Sequence, residues 1–141
     1  RELLDFKPQS QKTNLDEPLR FLTNAIKKRC TAFIISDFLS PDFEDALRIA
    51  SSKHDIVALK VFDRVEQEIP DIGLIKVSDS ETGLEKWVDT SSEIARNAYK
   101  NWWNDHLTQI KNIFKRCGVD STDLRTDVDY VKPLIKLFEN R

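Results

Sequence analysis

The chain has 141 residues, 40% hydrophobic and 33% charged, with a formal net charge of −2. That is the make-up of one globular domain with enough length for a real core. The Lys and Arg residues are scattered rather than striped, which argues against a nucleic-acid footprint, and no run approaches the roughly 20 apolar residues that cross a bilayer.

Residues 1–13 are polar, contain Pro8, and read as an entry segment. Asn14 with Glu17 three positions on resembles a capping box, and Pro18 falls in a first turn, where proline is tolerated. Leu15, Leu19, Leu22 and Ile26 then recur at helical spacing, widened by Phe21 and Ala25, so a helix is predicted to run to about Cys30. The basic cluster at 27–29 would close it, complementing the carbonyl end of its dipole.

"TAFIISDF", residues 31–38, is a short apolar run with β-branched and aromatic side chains, the pattern of a strand covered on both faces. In "SPDFEDALRIASSKH" Ser40 can cap a helix and Pro41 fits its first position. Asp42, Glu44 and Asp45 load its first turn, and Phe43, Ala46, Leu47 and Ala50 give its buried side. "DIVALKVFD", residues 55–63, is a second buried-type strand. Strands joined by crossover helices predict a parallel sheet.

"GLIKVSDSETGLEKWVDT" has two extended runs and predicts a hairpin turning near Asp79 to Gly83. Ser91 or Ser92 then starts a long helix that reaches about Cys117 and stops at Gly118. Its apolar stripe takes in Ile94, Ala95, Ala98, Tyr99, Trp102, Trp103, Leu107, Ile110, Ile113, Phe114 and Cys117. Trp102 and Trp103 are adjacent, and a broad buried face would take both; the alternative places one in an exposed patch. A last helix is predicted from Thr126, with Pro133 too deep for an uninterrupted start there, so a kink or a later start is expected.

Cys30 and Cys117 have no zinc-type or C-x-x-C spacing and read as isolated thiols of a reducing compartment, a bond between them being the alternative. His54 and His106 make no metal-ligand pair with near neighbours in sequence. With three glycines there is no P-loop and no dinucleotide fingerprint, and no G-x-S-x-G turn surrounds any serine. No signal peptide is visible. Methionine is absent even at position 1, which leads us to expect a processed or excised piece.

Both predicted parallel strands end on an acid, Asp37 and Asp63. In open parallel sheets ligands bind outside the carboxyl ends of the strands, and carboxylates with hydroxyls and water suit magnesium. The plainer reading is that an aspartate after a strand opens a turn or caps the next helix. Glu66, Glu68 and Asp71 follow Asp63 as a solvated loop or an acidic rim.

"KTNLDEPLRFL", "FIISDFLSPDFEDALRIASSKHDIVALKVFD", "EIPDIGLIKVSDSETG" and "WVDT", in that order, resemble the carboxy-terminal half of the bacterial Domain of Unknown Function fifty-eight family, whose members look like von Willebrand factor A domains. The resemblance covers nearly the whole chain. It implies an α/β, partial doubly wound sheet with two parallel strands, a C-terminal β-hairpin and flanking helices, the whole of 1–141 being the C-terminal part of a single domain. It also implies a metal-ion-dependent adhesion site, to which Thr13 in "KTNL" and Asp37 in "ISDF" correspond. The D-x-S-x-S loop of that site occurs nowhere here, so the site would be incomplete in this chain. Mg2+ or Mn2+ is expected in the full-length protein and no cofactor in this piece. For Thr13 the plainer role is to help open the first helix.

The resemblance further implies a MoxR-type ATPase as protein partner. We therefore expect a cytoplasmic, non-enzymatic interaction module with no nucleic-acid partner and no membrane segment. The alternatives are a metal-dependent phosphoryl-transfer enzyme using Asp37 and Asp63, and a metal-free scaffold. With the neighbouring strand missing, residues 32–37 should present an unpaired apolar edge and drive self-association.

Overall fold

A computed structural model describes residues 13–79 and 82–141. The entry segment up to residue 12 and two positions of the predicted hairpin turn, 80 and 81, lie outside the described residues. The elements are α1 (Asp16–Ala25), β1 (Thr31–Ser36), α2 (Glu44–Lys53), β2 (Asp55–Phe62), α3 (Arg64–Gln67), β3 (Leu74–Ser78), β4 (Glu85–Asp89), α4 (Glu93–Cys117), β5 (Asp120–Arg125) and α5 (Val131–Glu139).

β1, β2 and β5 form one parallel sheet in that order, and β3 pairs antiparallel with β4 as a separate hairpin. The α/β class and the parallel sheet agree with expectation. One detail differs: the sheet has a third strand, β5. The hairpin forms over the two runs expected for it, Leu74–Ser78 and Glu85–Asp89. "DSTDLR" is poor in β-formers. It becomes a strand because the edge of β2 offers it a ladder, with Val57 to Phe62 facing Asp120 to Arg125.

Helices cover both faces of the sheet. On one, Ile56 and Ala58 pack with Leu19 of α1, with Ala46, Leu47 and Ala50 of α2, and with Ile110, Phe114 and Cys117 of α4. On the other, Val57 and Leu59 pack with Leu137 of α5. β2 is buried along nearly its whole length. β1 is not, against expectation: alternate residues are open, with Phe33 50% and Ile35 67% exposed. It sits at the edge of the sheet, and among the described residues no strand pairs with its free side.

Helix ends explain the other departures. Asn14 Oδ1 accepts from the N–H groups of Asp16 and Glu17, which is the Asn14 half of the predicted capping box. α1 stops at Ala25, however, leaving residues 27–29 outside it and Phe21 exposed. α2 starts at Glu44, not behind Ser40, because Asp42 has a left-handed backbone (φ 51°) that no right-handed helix can include. α4 begins and ends as expected: Ser92 Oγ accepts from Ala95 N–H, and Gly118 closes the helix at φ 63°. Its stripe is narrower, since Ile94 and Trp102 are exposed while Trp103 is buried. α5 starts at Val131, which puts Pro133 in the first turn and leaves Asp129 to accept from Val131 N–H. Both cysteines are free thiols.

Candidate functional site at the strand ends

At the carboxyl end of β1 the chain turns sharply. Ser36 Oγ donates to Asp37 Oδ1 (3.3 Å), and the N–H of Leu39 donates to the same oxygen (3.1 Å). Phe38 adopts a left-handed backbone, φ 60°, rare for a bulky residue, and its ring is fully buried. It packs edge-on against Phe114 at 4.9 Å between centroids and against Phe43 at 5.8 Å. Phe38 thus plugs the core at the end of β1. Asp37, one residue earlier, stays half-buried at the rim.

Ser40 does not cap α2; it is buried and ties α1 to this loop. Its Oγ accepts from Leu15 N–H at 3.1 Å and donates to the carbonyl of Pro41. The bond brings the start of α1 against the loop that opens with Asp37. Thr13 is exposed two residues before Leu15. Thr13 and Asp37 offer two hard oxygen donors on adjoining segments. Among the described residues no three His, Cys, Asp or Glu side chains gather closely enough to hold a metal ion. An octahedral magnesium shell needs six oxygens, so these two residues fit part of such a shell and require donors from elsewhere.

Asp63, the second strand-end acid, is committed to local structure. Its Oδ1 accepts from Val65 N–H (2.9 Å), capping α3, and its Oδ2 accepts from Thr126 Oγ1 (2.7 Å) just past β5. Those two bonds, the backbone one foremost, hold its carboxyl below the ordinary aspartate range.

Sequence reasoning passed over the residue between these acids. Lys60 lies on β2 in one register row with Ser36 of β1 and Asp123 of β5. It is buried, 2% exposed, and its Nζ has no hydrogen-bond partner among the described residues. The ammonium sits 4.3 Å from the centre of the Phe62 ring and 5.2 Å from Trp103. Desolvation lowers its affinity for a proton, while the charges of Asp123, Glu66 and Asp37 partly restore it. Trp103 Nε1 and His106 Nε2 are buried beside it, likewise without hydrogen-bond partners among the described residues. His106 stacks on Trp102 at 5.6 Å, and burial, then the charge of Lys60, lowers its pKa. One signal was available in the sequence: a charged residue interrupts the apolar run "DIVALKVFD".

Fold and rim together define an α/β protein with a parallel sheet wound on both faces and its candidate site at the carboxyl ends of the strands. The family described as Protein of unknown function DUF58 matches residues 1–109, and the chain belongs to that family. The match ends inside α4, so β5 and α5 lie beyond it. The chain is similar to uncharacterized proteins of Mycobacterium avium, Mycobacterium bovis and Mycobacterium tuberculosis, each 28% identical over 116 residues. The aligned stretch is 82% of this chain, 68% of the M. avium protein and 36% of each of the other two. No solved structure matches. Among the described residues no helix is long and apolar enough to cross a membrane.

Proposed function

We propose that this chain is part of a von Willebrand factor A-like protein-interaction module, not an enzyme, whose strand-end rim completes a divalent-cation site in the full-length protein. The observation that carries this reading is the Leu15–Ser40 bond, which draws the segment after Thr13 against the loop that opens with Asp37. Thr13 and Asp37 then supply a hydroxyl and a carboxylate to Mg2+ or Mn2+, and the remaining oxygens come from residues outside this chain and from water. When bound, the cation offers an open coordination position to an acidic side chain of a protein partner. A MoxR-type ATPase is the partner that the family likeness suggests.

Asp63 weighs against the phosphoryl-transfer alternative. Both its oxygens are already engaged, so a pair of free strand-end carboxylates is not at hand. The deciding experiment follows the melting temperature of the full-length protein during Mg2+ or Mn2+ titration, with Asp37→Ala as control. A rise that the variant loses supports the cation site. No rise in either protein leaves a metal-free scaffold, and phosphate-ester turnover that needs both Asp37 and Asp63 defeats the interaction reading.

A further inference from the structure

Lys60 places a positive charge under the strand-end rim. Its register partner on β1 is Ser36, the residue before Asp37, one strand spacing of about 4.8 Å away. Its side chain runs toward the carboxyl end of the sheet: Nζ lies over the ring of Phe62, the last residue of β2, and near Trp103 of α4. The ammonium has no exposed surface and no hydrogen-bond acceptor among the described residues. A charge in so dry a setting is poorly screened and acts over a longer range than a surface charge. The negative groups that act on it are Asp123, Glu66 and Asp37, in that order, and Lys111 opposes them. Asp123 divides its attraction, since Lys111 Nζ lies 3.8 Å from it. His106 feels the charges of both Lys60 and Asp37, so the three groups share one region beneath the strand ends.

We propose that Lys60 is the internal counter-charge of the strand-end rim: it balances Asp37 in the metal-free protein and holds down the rim's affinity for a divalent cation. The inference rests on the cation reading of the rim given above, and it names the residue that sets how tightly that site binds. Lys60 needs no contact with the cation and no path to solvent. Its ammonium acts through the interior of the protein, where the Phe62 and Trp103 rings hold it. A dication beside Asp37 gains the attraction of that carboxylate and meets the repulsion of Lys60 behind it. Removing the charge of Lys60 leaves the carboxylate in place and removes the repulsion alone.

Mn2+ titrations of the full-length protein, followed by the EPR signal of the free ion, test it. Lys60→Met and Lys60→Gln are two neutral variants, so that one covers the case in which the other fails to fold. Each should tighten Mn2+ by at least about tenfold, because a unit charge about 10 Å from a dication repels it by more than that at an effective dielectric constant of about 20. Adding Asp37→Ala to either variant should remove the gain, which locates it at the rim. Unchanged or weaker Mn2+ binding in a folded neutral variant overturns the proposal, and so does a gain that survives Asp37→Ala. Mn2+ binding by none of the proteins defeats the cation reading itself and takes this inference with it. Binding seen in the neutral variants alone, and lost with Asp37→Ala, supports both.

Discussion

Thr126 Oγ1 donates to Asp63 Oδ2 at 2.7 Å, joining the turn after β5 to the end of β2 across 63 residues of sequence. The backbone N–H of Thr126 bonds the carbonyl of Phe62 at the same point. A strand-end acid that could have been a ligand is instead a clasp between strands. The sign of its pH dependence follows. Its carboxyl is held below the ordinary value of 3.8, so its stabilising contribution is complete above that value and is lost as pH falls through the lower folded value. Asp63→Ala should therefore lower the urea midpoint clearly at neutral pH and less at an acid pH below 3.8, where protonation of the native carboxyl progressively withdraws the contribution of the clasp. Equal losses at both pH values would contradict the clasp.

Lys60 predicts an unusual gain. An apolar side chain of similar length removes a buried ammonium that has no hydrogen-bond partner among the described residues, and the cation–π contacts to Phe62 and Trp103 offset only part of what the burial costs. Lys60→Met should stabilise the protein by about 1–2 kcal/mol, read as a higher denaturation midpoint with an unchanged m-value. A destabilised variant would mean that the ammonium has a strong partner within the folded chain.

Phe38 combines complete burial with a left-handed backbone. Phe38→Ala should cost about 3–5 kcal/mol, the usual range for emptying an aromatic site in a core. Glycine normally costs more than alanine. Here Phe38→Gly should be no worse than Phe38→Ala, because only glycine accepts φ 60° without strain. Chemical denaturation of the two variants side by side decides this.

The open edge of β1 carries the expectation of self-association. Ile35 and Phe33 project from an edge strand whose free side no strand pairs among the described residues, the arrangement that recruits another strand. We expect concentration-dependent dimers or larger species in sedimentation velocity, and Ile35→Lys should shift the chain toward monomer. Only monomer at high concentration in the unaltered chain would contradict it.

Much of the local order was legible. Ser92 and Gly118 mark both ends of α4, and apolar repeats locate α1, α2 and β2. The hairpin follows from two extended runs around a turn closed by Asp79 N–H donating to the Leu84 carbonyl and Gly83 N–H donating to the Asp79 carbonyl. β5 was not legible, because "DSTDLR" lacks the composition of a strand and exists as one only against β2. Nor was the fate of Ser40, whose hydroxyl suits a helix cap but which folding places against Leu15. That Asp37 and Asp63 each follow a parallel strand was legible too. Lys60, the least ordinary residue in the structure, stood in plain view within an apolar run.

By itself the chain determined what depends on near neighbours: where helices start and stop, which runs can be strands, and that two strands end on acids. Tertiary structure decided which of those acids is clasped, which face of β1 stays open, and that an ammonium lies buried beside Trp103. The division has a physical cause. Capping and periodicity act over three or four residues. Strand pairing and desolvation depend on groups that approach only when distant segments meet, as Lys60 meets Asp123 across 63 positions.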